Sequence, residues 1–297
     1  MTVGTVLLLL SALVKVAIAQ QIDTGPVPDN PEIRGGLLYD KWWAHLEVDV
    51  PEGDHPLWST QTTNTRSGAD TWRCKECHGW DYLGAEGAYG SGSHLTGFVG
   101  VYNARTKSVE DIVAILKGSA NPDHDFSLYM TDKSLADLAQ FIRGVRDYRA
   151  HVIYNTKAPN NGNSANGQVL FELEIGCQRC HGLDGAKINF GSAEEPELLG
   201  TIAVDNPQEF LHKVLYGQPG SDPRMTGAIE LGWSMNDLVD IMAYAQSLPT
   251  GIENQVAAAT PPAALPQSGA APVDLSAFLL VGGLIFMGAG LLTLKRR

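Results

Sequence analysis

The sequence predicts an all-α chain of two tandem helical domains followed by one C-terminal transmembrane helix. Three observations carry this expectation. The pattern C-x-x-C-H occurs twice, as Cys74-Lys75-Glu76-Cys77-His78 and Cys177-Gln178-Arg179-Cys180-His181, followed by Gly79 and Gly182. An amphipathic helical pattern comes after each: Leu135, Leu138, Phe141, Ile142 and Val145 in the first copy, Leu238, Ile241, Tyr244, Ala245 and Leu248 in the second. The shared offset marks a duplication. Finally, Leu275 to Leu294 run twenty residues without a charge. At about 1.5 Å per residue such a helix spans a hydrocarbon core of ~30 Å.

Taken in order, residues 1–19 predict a signal peptide, apolar from Val3 and closing in the small-x-small pattern Ala17-Ile18-Ala19. Its first residues carry no Lys or Arg, so an uncleaved N-terminal anchor is the alternative. Residues 20–68 form an extension with the opening helix of the first copy, placed at Gly36–Trp43, and an insertion over Glu47–Arg66. The short Gly68–Trp72 segment is a rival for the opening helix. The first domain is set at 69–150 and the second at 160–250, their closing helices capped from Thr131 and Ser234. A helix over Asn166–Ile175 opens the second domain, with Gly167 and Phe171 one turn apart and able to pack on Tyr244.

The Ala- and Pro-rich stretch 251–273 predicts a tether, 274–294 the membrane helix, and Lys295-Arg296-Arg297 a basic cytoplasmic tail. The domains are then expected on the periplasmic or extracellular side, anchored to the membrane. Leu265-Pro266-Gln267-Ser268-Gly269 resembles a sortase-type sorting signal with Ser where Thr is usual, and its processing stays open.

The paired motifs have a chemical reason. Two thiols one helical turn apart can form thioethers to the vinyl groups of one haem, and the adjacent His can reach its iron. A zinc site built from both C-x-x-C pairs usually asks for roughly 15–20 residues between them, whereas 99 residues lie between Cys77 and Cys177. A thioredoxin-like pair would need a βαβ setting that neither copy has. The expected cofactors are therefore two covalent haem c groups, one on Cys74 and Cys77 and one on Cys177 and Cys180, with His78 and His181 as proximal ligands.

Residues 167–248 resemble a class I c-type cytochrome domain, with its opening helix, CxxCHG, a loop bearing an axial Met and a closing helix with an aromatic. Residues 36–148 resemble a more divergent copy. The resemblance implies three or four helices around one haem per domain, and it implies Met225, in Asp222-Pro223-Arg224-Met225, as the sixth ligand of the second haem. Met235 and Met242 fall in the closing helix and are expected to fill core. In the first copy the matching loop holds His124: it lies 46 residues after His78, against 44 from His181 to Met225. Met130, 52 residues after His78, is the alternative ligand. His94 is expected near haem propionates or solvent. A thioether favours ferrous iron more than a second imidazole does, so the expected electron step runs downhill from the first haem to the second.

Charge completes the reading. The 297-residue chain is 44% hydrophobic with a formal charge of −12. Setting aside Lys15, Lys295, Arg296 and Arg297 leaves 17 basic against 33 acidic residues, a balance of −16 for the exported part. Such a surface argues against nucleic acid as a partner and suits redox proteins with a basic docking surface. The leading expectation is an electron carrier rather than an enzyme. The alternatives are a dihaem peroxidase or small sulfur-compound dehydrogenase with one labile axial site, and a cytochrome subunit of a membrane redox complex. In the last case the Tyr39–Trp43 aromatics could be interface, although core is their ordinary place.

Overall fold

The computed structural model describes residues 26–251. The segments read as signal peptide, transmembrane helix and basic tail, and all of the tether beyond Gly251, lie outside them.

Helix α1 (Pro31–Leu46) starts where Asn30 Oδ1 accepts the N–H groups of Glu32 and Ile33 at 2.9 and 3.4 Å. Pro31 sets the first turn, and the helix stops at Glu47 with φ 55°. Next comes α2 (Cys74–His78), then α3 (Val109–Leu116) and α4 (Asp132–Gly144). The second half holds α5 (Ser164–Phe171), α6 (Gln178–His181), α7 (Leu199–Asp205), α8 (Pro207–Tyr216), α9 (Ala228–Leu231) and α10 (Met235–Ala245). The Gly68–Trp72 segment is a single 3₁₀ turn, and the opening helix is α1.

The duplication is visible atom by atom. In the first copy α1 crosses α4 at Gly35, where a Cβ would stand 2.3 Å from the Asp137 carbonyl oxygen and 2.4 Å from Phe141 Cβ. In the second, α5 crosses α10 at Gly167, where a Cβ would stand 1.9 Å from the Asp240 carbonyl oxygen. The residue before each glycine binds the aspartate side chain. Arg34 grips Asp137 through Nε and Nη2 at 2.7 and 2.9 Å, and Asn166 Nδ2 donates to Asp240 Oδ2 at 2.8 Å. Four residues past each glycine an aromatic ring meets the closing helix. Tyr39 and Phe141 lie 5.2 Å apart by ring centroids, and Phe171 and Tyr244 lie 5.3 Å apart. Backbones can approach this closely only where no side chain intervenes.

Helix α1 also serves the second half. A Cβ on Gly36 would fall 2.4 Å from the Tyr216 ring of α8, so the adjacent glycines let α4 and α8 close on α1 together. Between them lies a buried polar seam. Asp40 on α1 is ion-paired with Arg73 and with Lys213 of α8. His212, fully buried, donates from Nε2 to the Gly36 carbonyl at 3.1 Å and accepts at Nδ1 from Tyr82 at 2.9 Å.

The all-α expectation of two cytochrome c-like domains with a transmembrane helix is corrected here. About half of the described residues are helical, and β1 (Val152–Ile153) pairs antiparallel with β2 (Ala158–Pro159) in a small hairpin. The described residues fall within one compact unit, because α1 packs on both halves. Among the described residues no helix is long and apolar enough to cross a membrane. The hairpin is fixed by tertiary bonds: Lys157 Nζ donates to the Asp205 carbonyl at 2.6 Å, and Gln246 Nε2 to the Lys157 carbonyl at 2.8 Å.

Candidate functional site

Each CxxCH segment forms a short helix stopped by a glycine. Gly79 and Gly182 have φ of 76° and 80°, and their N–H groups bond to the carbonyls of Lys75 and Gln178. A side chain at either place would strain the exit from the helix.

The first segment borders a cavity of about 560 Å³, mostly apolar, whose walls include Cys74, Cys77, His78, His124, Leu138 and Ile142. His78 donates from Nδ1 to the Val99 carbonyl at 2.6 Å, and His124 makes the same kind of contact to the Ile115 carbonyl at 3.4 Å. A carbonyl can only accept, so each ring keeps its proton on Nδ1 and leaves the Nε2 lone pair free. The two rings lie 6.1 Å apart by centroids. Burial, with His124 adding to it, pushes His78 down to about 4, and burial also lowers His124. Both rings are thus neutral, as a metal ligand must be. Burial lifts the Cys74 and Cys77 thiols to about 12.

Met130 takes a different place. It is 4% exposed, packed in the core, and absent from the cavity wall. His94 also stands away from the cavity, stacked on Tyr89 at 4.5 Å with Nδ1 3.9 Å from Glu76. The aromatics Tyr39, Trp42 and Trp43 are all buried, as core.

The second segment borders a smaller cleft of about 70 Å³. Cys177, Cys180, His181 and Met225 all stand on its walls, with Val214 and Trp233. The Met225 loop is held by a bond from its own N–H to Ser221 Oγ at 2.9 Å. His181 Nδ1 is buried without a hydrogen-bond partner, and burial, then Lys187, lowers the ring's pKa. Burial lifts Cys177 to about 12. Met242 is fully buried in the core and Met235 packs against it, away from the cleft.

Small-molecule and cofactor sites run to about 300–1,000 Å³. The first cavity therefore fits a haem in both volume and donors. The second carries the matching donors, while its cleft must open to take a porphyrin. Among the described residues no three His, Cys, Asp or Glu side chains gather into an ion-binding cluster. A six-coordinate haem iron takes only two protein donors.

Sequence reasoning passed over His55, which lies in the insertion and lines the first cavity, and over the seam of Asp40, Arg73, Lys213 and His212. His55 has no counterpart in the second copy, so no repeat could single it out. The chain matches no family model, no curated protein and no solved structure.

Proposed function

We propose that this chain is an extracytoplasmic dihaem electron carrier, with one haem c attached at Cys74 and Cys77 and one at Cys177 and Cys180. The observation that carries the reading is the first cavity. Two thiols and two neutral histidines share its wall, each histidine holding its Nδ1 on a backbone carbonyl and keeping Nε2 free. When bound, each haem supplies an iron that alternates between ferrous and ferric states and so stores one electron.

The rest of the chemistry belongs to the protein. The Val99 and Ile115 carbonyls fix the tautomers of His78 and His124, the two residues that would hold the iron of the first haem. Met130 serves as core filling. In the second site His181 and the softer Met225 thioether would hold the iron, and a thioether would favour the reduced state there. The apolar walls, Leu138 and Ile142 among them, exclude water and lower the local dielectric, which also tunes potential. The partners this reading implies are redox proteins with a basic docking surface, met through the acidic exterior.

Mass spectrometry of the exported protein tests the proposal. Wild type should carry two covalent haems, and Cys74→Ala/Cys77→Ala one. A wild type without haem, or one holding zinc, would overturn it. Reduced protein that leaves CO unbound supports a carrier. Rapid CO binding would point instead to an enzyme with an open site.

A further inference from the structure

The first cavity contains a third histidine that cannot be an iron ligand. His55 is 6% exposed, sits on the cavity wall, and is packed edge-on against Trp72 with ring centroids 4.7 Å apart. Its backbone N–H donates to Thr71 Oγ1 at 2.8 Å, and its Nδ1 receives the Leu57 backbone N–H at 3.2 Å. This second contact reverses the logic of His78 and His124. A ring nitrogen that accepts carries no proton, so the neutral His55 ring bears its proton on Nε2. Among the described residues none accepts from that Nε2–H. With Nδ1 taken by Leu57, the ring's remaining donor is left over for whatever occupies the cavity that His55 lines. The ring lies 6.4 Å from His124 by centroids, within the same cavity.

We propose that His55 is a positioning residue whose Nε2–H donates to an anionic oxygen acceptor inside the first cavity. A porphyrin propionate and a small free carboxylate share this chemistry, and the inference rests on the haem reading of the cavity. A donor on the anion offsets part of its charge and so eases reduction of the nearby iron.

The test uses the full exported chain carrying both haems, with haem content measured first by mass. That step separates failure of the haem reading from failure of this one. In potentiometric titration, His55→Phe should lower the midpoint of one haem and leave the other unchanged. His55→Gln, whose amide can still donate, should restore most of the difference. A shift seen without additives identifies the propionate, while a shift seen only with added formate identifies a free carboxylate. Unchanged midpoints in His55→Phe with and without formate overturn the proposal, as does a shift of equal size in His55→Gln. If His55→Phe fails to load haem, His55→Gln decides: wild-type loading and midpoints support the donor role, and loss of haem overturns it.

Discussion

The two CxxCH segments carry the same short pattern into different surroundings. Around the first, a 560 Å³ cavity stands open, walled partly by the insertion that brings in His55 and Leu57. Around the second the cleft holds only 70 Å³, and the chain between opening helix and motif is a tight turn rather than an insertion. The motif histidines differ in the same way: His78 Nδ1 is held by Val99, while His181 Nδ1 has no hydrogen-bond partner. The same motif is therefore set in surroundings that the loops around it organise to different degrees. Preorganisation of the first site is a property of its insertion and of residues 98–104, not of the three residues the two motifs share.

The harshest way to break the comparison is to cut the seam that holds both sites against α1. Asp40→Ala removes the buried carboxylate that pairs with two partly buried cations, Lys213, the neighbour of Val214 on the second cleft, and Arg73, the neighbour of Cys74, which keeps only Asp70 at 3.6 Å. Removing one member of a buried ion pair costs about 3–5 kcal/mol, to be measured by chemical denaturation. Asp40 is fully buried, which alone would raise its pKa, but Lys213 and Arg73 outweigh burial and hold it well below the ordinary carboxylate value. A carboxylate with a depressed folded-state pKa stabilises above its unfolded value and loses that contribution as pH falls. Wild-type stability should therefore decline below about pH 4, and the variant should lack this component of the decline.

A second pair of variants separates cavity from core in the first site. Met130→Ala removes a buried side chain outside the cavity and should cost about 2–5 kcal/mol without altering haem spectra. His124→Ala should do the reverse, changing the spectrum and potential of the first haem while costing less stability. Met225→Ala is the matching variant in the second site and should abolish the weak absorbance of an iron–thioether bond. Should Met130→Ala alter the first haem's spectrum and His124→Ala leave it intact, the axial assignment fails.

The smallest expected effect tests whether the halves are built alike. Gly35→Ala and Gly167→Ala each push a methyl against a backbone carbonyl, at 2.3 and 1.9 Å before relaxation. Overpacking of this kind costs about 1–3 kcal/mol. Similar losses in thermal or urea unfolding would support equivalent crossings, and a neutral Gly35→Ala would show that the first crossing has slack.

Local signals made much of this legible. Thr131 and Ser234 cap α4 and α10 as their sequences indicated, accepting from Ser134 and Asp237 N–H, and the apolar stripes of both helices are largely buried. The Gly167, Phe171 and Tyr244 contact was readable because it lies on two periodic faces. The α5 end was not: the helix stops at Phe171 rather than Ile175, since the turn through Gly176, whose N–H bonds to the Leu173 carbonyl, must lead into Cys177. The Asp40–Lys213 pair spans 173 residues, and no spacing rule reaches that far. The β1–β2 hairpin has only two residues per strand, too short for any alternation to show. His55 was hidden for a further reason: its role depends on which nitrogen carries the proton, and Leu57 decides that through a backbone bond.

Adjacent Gly35 and Gly36 make α1 a shared strut. Two halves that packed only on their own opening helices could melt separately, one CxxCH site failing while the other survived. Here the second half leans through Tyr216 and Lys213 on a helix that belongs by its repeat to the first. Loss of α1 would therefore withdraw support from both sites at once, and the halves should share a single cooperative transition in calorimetry. A protease cut in the hairpin between Ile153 and Ala158 should leave two fragments that travel together. The duplicated chain has in this way given up modularity: neither half can be trimmed away or exchanged without carrying part of the other with it.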